Sequence, residues 1–159
     1  MYILETKTNK LVKSQILNPT KDLVPRKKNG WSFNWLSPYK KDAQSIFALK
    51  EENKETVHGM LHLINDGGML VMELIEVAPF NIGSIKMYDN VAGCLIAHAC
   101  RESLKLETAY KGYLTFVSKT ELINLYKEKY FATQTIGNRM YIDPLSGEKL
   151  INNYLENHE

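Results

Sequence analysis

The sequence predicts a domain of the α/β class, more closely α+β, in which a mixed and mostly antiparallel central sheet is flanked by helices. Three features carry that reading. Strand-like segments near residues 44–50, 56–65 and 69–78 follow one another across short polar breaks, the pattern of an antiparallel meander. After Pro79 the apolar period changes from that of a strand to that of a helix. A short apolar strand at 112–117 then precedes a second helical segment, and strand, helix, strand and helix in succession imply one parallel crossover.

Within residues 1–17, two short apolar runs flank Thr6-Lys7-Thr8-Asn9-Lys10, a polar break suited to a hairpin. Residues 18–41 hold three prolines, the basic turn Arg26-Lys27-Lys28-Asn29-Gly30 and the aromatic run Trp31-Ser32-Phe33-Asn34-Trp35, and read as irregular chain with one short helix. Glu51-Glu52-Asn53-Lys54 and Asn65-Asp66-Gly67-Gly68 separate the three meander strands. Asp89 or Asn90 caps a helix in which Val91, Cys94, Leu95, Ala99 and Leu106 recur at near-helical spacing. The next helix, about 119–129, sets Leu122, Leu125 and Tyr126 at i, i+3 and i+4. Short strands near 133–136 and 139–142 turn at Gly137-Asn138, and 145–155 reads as helical.

With 159 residues, of which 44% are hydrophobic, the chain suits one domain spanning 1–159. Twenty Lys and Arg against eighteen Asp and Glu leave a formal net charge of +2, which argues against nucleic acid as the partner. Cys94 and Cys100 lie in one apolar helical segment and read as reduced, buried thiols. The N-terminal residues lack the apolar region of a signal peptide, and no apolar run approaches the roughly 20 residues that span a bilayer. The expected setting is therefore cytoplasmic, without membrane insertion.

The segment Glu73-Leu74-Ile75-Glu76-Val77-Ala78-Pro79, then a loop, then Asn90-Val91-Ala92-Gly93-Cys94-Leu95-Ile96 resembles the GNAT acyltransferase superfamily. In that family a central strand ends in a Val-x-Pro-like sequence, and a loop leads into a helix whose first amides hold the diphosphate of coenzyme A. Those amides have no partner inside the helix, and the helix dipole adds roughly half a positive charge there. The family's loop reads Arg or Gln, two residues, Gly, one residue, then Gly or Ala. Its counterpart here is Met87-Tyr88-Asp89-Asn90-Val91-Ala92, with Met87 in place of the basic or amide residue and Asn90 in place of the first glycine. Asn tolerates a left-handed backbone, so Asn90 can keep the turn, and Lys86 can supply the missing positive contact. A second region, residues 116–132, is similar to the family's Asn-x-x-Ala-x-x-Leu-Tyr helix with its Gly-Phe ending. Tyr126 falls on the family's tyrosine, Lys119 and Leu122 stand where Asn and Ala are usual, and Tyr130-Phe131 replaces Gly-Phe.

The resemblance implies an N-acyltransferase that takes acetyl-CoA as co-substrate, needs no metal, acts on an amine-bearing acceptor of unspecified identity, and belongs to a group in which paired subunits are frequent. It assigns coenzyme contacts to Val77, Ala78, Lys86, Asn90, Val91, Ala92, Gly93 and Lys119. Lys119 reads equally as a helix-start charge. Acyl transfer to an amine of pKa near roughly 10.4 needs a base, and Glu73 matches the base carboxylate of some members. Alternation sets Glu73 and Glu76 on opposite faces, and burial of one would raise its pKa. Tyr126 matches the acid that protonates the departing thiolate, an uphill step of roughly 2 kcal/mol for an unperturbed tyrosine that the surroundings are expected to ease. The oxyanion donor would be an amide near Val77 or Ala78, and Pro79, which lacks an amide hydrogen, would let the neighbouring strands splay.

Other features point elsewhere. His58 and His62 would share a strand face but lack a third ligand for zinc. Trp31, Phe33 and Trp35 read as aromatics buried beside the sheet, or as a wall for an acceptor or a nucleic acid. His98 reads as a surface or boundary residue. The degenerate phosphate loop leaves a non-catalytic relative, binding coenzyme A or a protein partner, as the alternative. A nucleic-acid module using Arg26-Lys27-Lys28 is a third reading.

Overall fold

A nine-stranded sheet organises residues 1–156, the part of the chain that the computed structural model describes. Strands β1 (Tyr2–Glu5) and β2 (Lys10–Leu17) form the N-terminal hairpin, and β3 (Ile46–Glu51), β4 (Val57–Asp66) and β5 (Met69–Val77) form the antiparallel meander. The tight β4–β5 turn uses Gly67 at φ 61° and Gly68 at φ 86°, the left-handed pair that a two-residue hairpin loop requires. Between β2 and β3 the chain is irregular, with single 3-10 turns and one short helix, α1 (Leu36–Lys41). After β5 come β6 (Tyr88–Asp89), α2 (Val91–Ser103), β7 (Leu114–Val117), α3 (Ile123–Lys129), β8 (Thr133–Gln134), β9 (Arg139–Ile142) and α4 (Pro144–Ile151), which runs into a π-helical turn at Asn152–Glu156. The strand order is β6-β1-β2-β3-β4-β5-β7-β9-β8, and the one parallel pair is β5 with β7, joined through α2.

Two expectations about α2 and its neighbour need correction. Leu106 lies beyond the helix, because the last turn tightens where Leu104 N donates to Arg101 O and Leu106 N donates to Ser103 O. The segment before α3 starts as a 3-10 turn, Thr120–Leu122, so the α-helix proper is shorter than its apolar period implied.

Each face of the sheet has its own core. Helix α2 contributes Val91, Cys94, Leu95, Ile96 and Ala99 to one face, against Leu61, Met72, Leu114, Phe116 and Met140, with Leu150 and Ile151 of α4 and Leu155 beyond it. On the other face the 18–45 excursion lays Val24, Trp31 and Trp35 on Ile46, Ala48, Met60 and Ala78. That cover stops at β5. The same face of β7 and β9 is open, and Val117 is 68% exposed. Cys94 and Cys100 are free, buried thiols whose pKa values burial pushes up to about 12. Among the described residues no helix is long and apolar enough to cross a membrane.

His98 is a boundary residue, as expected, half-buried with its ring 4.8 Å from Phe47 and its Nε2 buried without a hydrogen-bond partner among the described residues. Burial pushes its pKa down from 6.5 to about 4. A depressed histidine pKa means that the fold favours the neutral ring, so its contribution is complete above about 6.5 and is lost as pH falls toward 4. Replacing it, His98→Leu, is expected to flatten the fall of the urea midpoint between pH 6.5 and 4; an unchanged slope would assign acid sensitivity to other groups.

Helix α2 packs tightly on Gly59, where a Cβ would stand 2.7 Å from Leu95 Cδ1 and 2.8 Å from Val91 Cγ1. Gly59→Ala should therefore cost about 1–3 kcal/mol in chemical denaturation, by forcing α2 off the sheet.

Candidate active site

Strands β5 and β7 pair only at Leu70 with Leu114 and Val71 with Thr115, and then diverge. The gap is a cleft of about 190 Å³ walled by residues 72–75 of β5, residues 116–119 at the end of β7, Leu122, Tyr126 of α3, and Phe33 from the excursion. Pro79 does not open it, because the split begins at Met72, well before the proline. It coincides instead with a β-bulge: Leu63 pairs with Met72 and His62 with Leu74, which leaves Glu73 as the extra residue.

That bulge sets both glutamates on the face away from α2, where plain alternation would have put them on opposite faces. Glu73 is exposed, not buried, and lines the cleft together with two further cavities of the open sheet face, of about 860 and 450 Å³. Glu76 is the covered carboxylate, and it is fully engaged: it accepts from Ser32 N at 2.6 Å, Phe33 N at 3.2 Å and Trp35 Nε1 at 2.8 Å. It fixes the aromatic excursion on the sheet, with three donors on its two oxygens.

Tyr126 reaches the same cleft from the opposite side, 8% exposed, with its ring 4.8 Å from Phe116. Among the described residues its hydroxyl has no hydrogen-bond partner. Burial raises its pKa, so it is held protonated, and the expectation that its surroundings ease proton release is overturned. Lys119 is exposed on the cleft rim, at the start of the 3-10 turn before α3.

Ala78 is not a free oxyanion donor, since its amide donates to His58 O at 2.8 Å. Strand alternation then turns the amides of Val77 and Ile75 the other way, toward the split.

The start of α2 stands beside this opening. Asn90 adopts φ 72°, the left-handed conformation that glycine would supply, and its side chain caps nothing. The first helical bond is Cys94 N to Asn90 O, so the amides of Val91, Ala92 and Gly93 precede the ladder. Asp89 accepts from Asn90 N at 2.8 Å and from Lys86 Nζ at 3.2 Å. Burial alone would raise the Asp89 pKa, but these donors lower it, aided by the charge of Lys129. Lys86 is thus half committed to Asp89, and Gly93 is covered by the Tyr154 ring, which any Cβ there would strike.

Several residues support the site from positions whose role the sequence did not show. His58, the extra residue of a second bulge, is fully buried; its Nε2 lies 3.2 Å from Glu51 Oε2 and its Nδ1 lies 3.1 Å from Asn81 Nδ2. Asn81 Oδ1 accepts from Tyr88 N, which moors the loop between β5 and α2 to β4. Burial holds His58 neutral, so Nδ1 accepts from Asn81 while Nε2–H donates to Glu51. His62 instead lines the 860 Å³ cavity beside α1, so the two histidines do not share surroundings. Tyr130 and Tyr154 extend an aromatic column from Tyr126, with successive ring centroids 5.9 and 6.4 Å apart. Among the described residues no group of three or more His, Cys, Asp or Glu is arranged for a metal.

No family model and no curated protein matches the sequence. A solved structure of a tyrosine-to-phenylalanine variant of the AtaT toxin, bound to the C-terminus of the antitoxin AtaR and to acetyl-CoA, aligns with a TM-score of 0.57 at 13% identity, over 88% of this chain and 98% of that one. The fold is that of the GNAT acetyltransferases. Diaminobutyrate acetyltransferase EctA from Paenibacillus lautus, solved with L-2,4-diaminobutyric acid and coenzyme A, aligns with a TM-score of 0.49 at 10% identity, over 82% of this chain and 93% of that one.

The two glutamates separate by experiment. Glu76→Ala strands three donors and should cost about 2–3 kcal/mol of unfolding free energy, whereas Glu73→Ala should stay within about 0.5 kcal/mol. Equal losses would mean that Glu73, too, is structural.

Proposed function

We propose that this chain is a single-domain N-acyltransferase that moves an acetyl group from acetyl-CoA to an amine. The observation that carries the reading is the split between β5 and β7, with Glu73 on one wall and Tyr126 on the other, beside a helix start opened by left-handed Asn90. The AtaT structure holds acetyl-CoA, the donor proposed here.

The residues present fit that donor. The free edge of β5 past Val71 offers amides and carbonyls to the amide-bearing pantetheine arm, which adds like a strand. The α2 amides from Val91 onward, with Lys86 and Lys129 nearby, hold the diphosphate without needing a glycine at position 90. The amide of Ile75 or Val77 donates to the developing oxyanion.

Glu73, directly or through a water, takes one proton from the alkylammonium, and its exposure lets it pass that proton to solvent. The freed nitrogen lone pair forms the C–N bond at the thioester carbonyl, and collapse breaks the C–S bond. Tyr126 gives its proton to the departing thiolate and is reprotonated as the nitrogen sheds its second proton through water. The net change converts an alkylammonium and a thioester into an amide and a thiol, with one proton released. The raised pKa of Tyr126 keeps the acid loaded, and the same dry cleft makes the thiolate more basic.

Acetyl-CoA at 100 times its dissociation constant should stabilise the protein by roughly 2.7 kcal/mol. No thermal shift at millimolar ligand would end the reading. Thiol release with a panel of amines then tests turnover, and binding without release would favour a non-catalytic coenzyme A binder. Tyr126→Phe should lower kcat at least about tenfold with acetyl-CoA affinity intact. Equal rates would remove Tyr126 from the mechanism.

A further inference from the structure

Beyond Glu73, the open face of the sheet continues as a groove whose chemistry is not that of the coenzyme. The 450 Å³ cavity that Glu73 lines also holds Arg139, and Arg139 lines the next cavity too, about 400 Å³ in volume, with Tyr110, Tyr113 and Tyr141. The two cavities share Met69, Tyr110, Thr115 and Arg139, so they form one channel. It runs from the reacting carboxylate to an aromatic end, where Tyr113 and Tyr141 have ring centroids 6.2 Å apart.

The register explains the placement. Val117 pairs with Arg139 and Thr115 with Tyr141, so alternation puts Val117, Arg139, Thr115 and Tyr141 on the uncovered face. Alternation from Met69 and Val71 carries Glu73 to that face as well. Two strand spacings separate Glu73 from Arg139, roughly 10 Å at the backbone and widened by the split. Both side chains line the same cavity of about 450 Å³, so the groups of a small zwitterion can meet one at each end.

Arg139 is otherwise idle. Its backbone closes the turn before β9, with Arg139 N donating to Ile136 O and Arg139 O accepting from Thr135, but among the described residues its guanidinium has no carboxylate within ion-pair distance. Asp66 lines the same cavity without forming an ion pair to it. A planar five-donor fork beside aromatic cavity walls matches a carboxylate geometrically, and it does so far better than an ammonium-type side chain would.

We infer that the acceptor is an amino acid: a small primary amine that also carries a carboxylate, its nitrogen placed at Glu73, its carboxylate held by Arg139, and its apolar part laid on Tyr110 and Tyr141. This rests on the acyltransferase reading and specifies its substrate class. Arg139 is then a specificity-determining residue that takes no part in the proton transfers.

The test compares amines that differ only in the carboxylate, L-phenylalanine against phenethylamine and L-lysine against 1,5-diaminopentane, by coenzyme A thiol release from acetyl-CoA. The carboxylated member of at least one pair should be favoured in kcat/KM by about tenfold to a hundredfold, the range expected for a charge-assisted contact. In Arg139→Gln that ratio should fall to about one through KM and not through kcat, while Arg139→Lys keeps part of it. A circular dichroism melt of each variant verifies folding, which an exposed side chain should not disturb. Equal use of both members, or a preference that survives Arg139→Gln, overturns the inference while thiol release itself upholds the acyltransferase reading. Stronger use of O-phosphoethanolamine than of either amino acid would make the anion a phosphate and overturn the carboxylate assignment. Acetyl-CoA binding with turnover only on a protein or an RNA would also overturn it. Failure to bind acetyl-CoA at all would remove the parent reading, and this one with it.

Discussion

One extra residue in one strand governs this molecule. Inserting Glu73 against the His62–Leu63 step of β4 reverses the side-chain parity of β5, and that reversal keeps both faces of the strand consistent with two different cores. Upstream of the bulge Leu70 and Met72 face α2; downstream Ile75 and Val77 do. The local increase in twist that accompanies a bulge is also the mechanical reason that β5 leaves β7 after two residue pairs. The opening and the placing of Glu76 on the same face as Glu73 are therefore two results of a single insertion.

The rest of the fold holds that opening in place without obstructing it. Glu76 ties the Trp31–Trp35 excursion to the covered half of the face, which leaves the half beside β7 and β9 bare. The Glu51–His58–Asn81 relay fastens the loop that leads to α2, so the helix start is presented at a fixed position. Gly59 allows α2 to lie close against β4 and β5 at that point. These contacts are polar or steric and local, and each spans elements distant in sequence.

That distance explains what could be read in advance. The hairpin, the meander, α2, the parallel crossover and the aromatic burial of Trp31 and Trp35 all follow from period, turn chemistry and apolar runs, which are properties of neighbouring residues. Asn90 was legible for the same reason, since few side chains tolerate its backbone. The bulges at Glu73 and His58 were not, because an inserted residue is defined by the register of the facing strand and leaves no mark on the strand that carries it. The assignment of the split to Pro79 and the offer of the Ala78 amide both failed on this point. The free guanidinium of Arg139 was equally invisible: a lone arginine in a short strand says nothing until its neighbours are known to lack carboxylates.

The Tyr154 ring seated on Gly93 has a bearing on how the molecule is made. Helix α2 is synthesised early, yet the surface at its first turn is finished only by a residue from the π-helical segment that leaves the ribosome long afterwards. Until that segment is made, the first turn of α2 stays bare on this side and the Cys94 thiol lacks the Tyr154 carbonyl that it meets in the finished fold. The helix surface is closed only when the last segment docks.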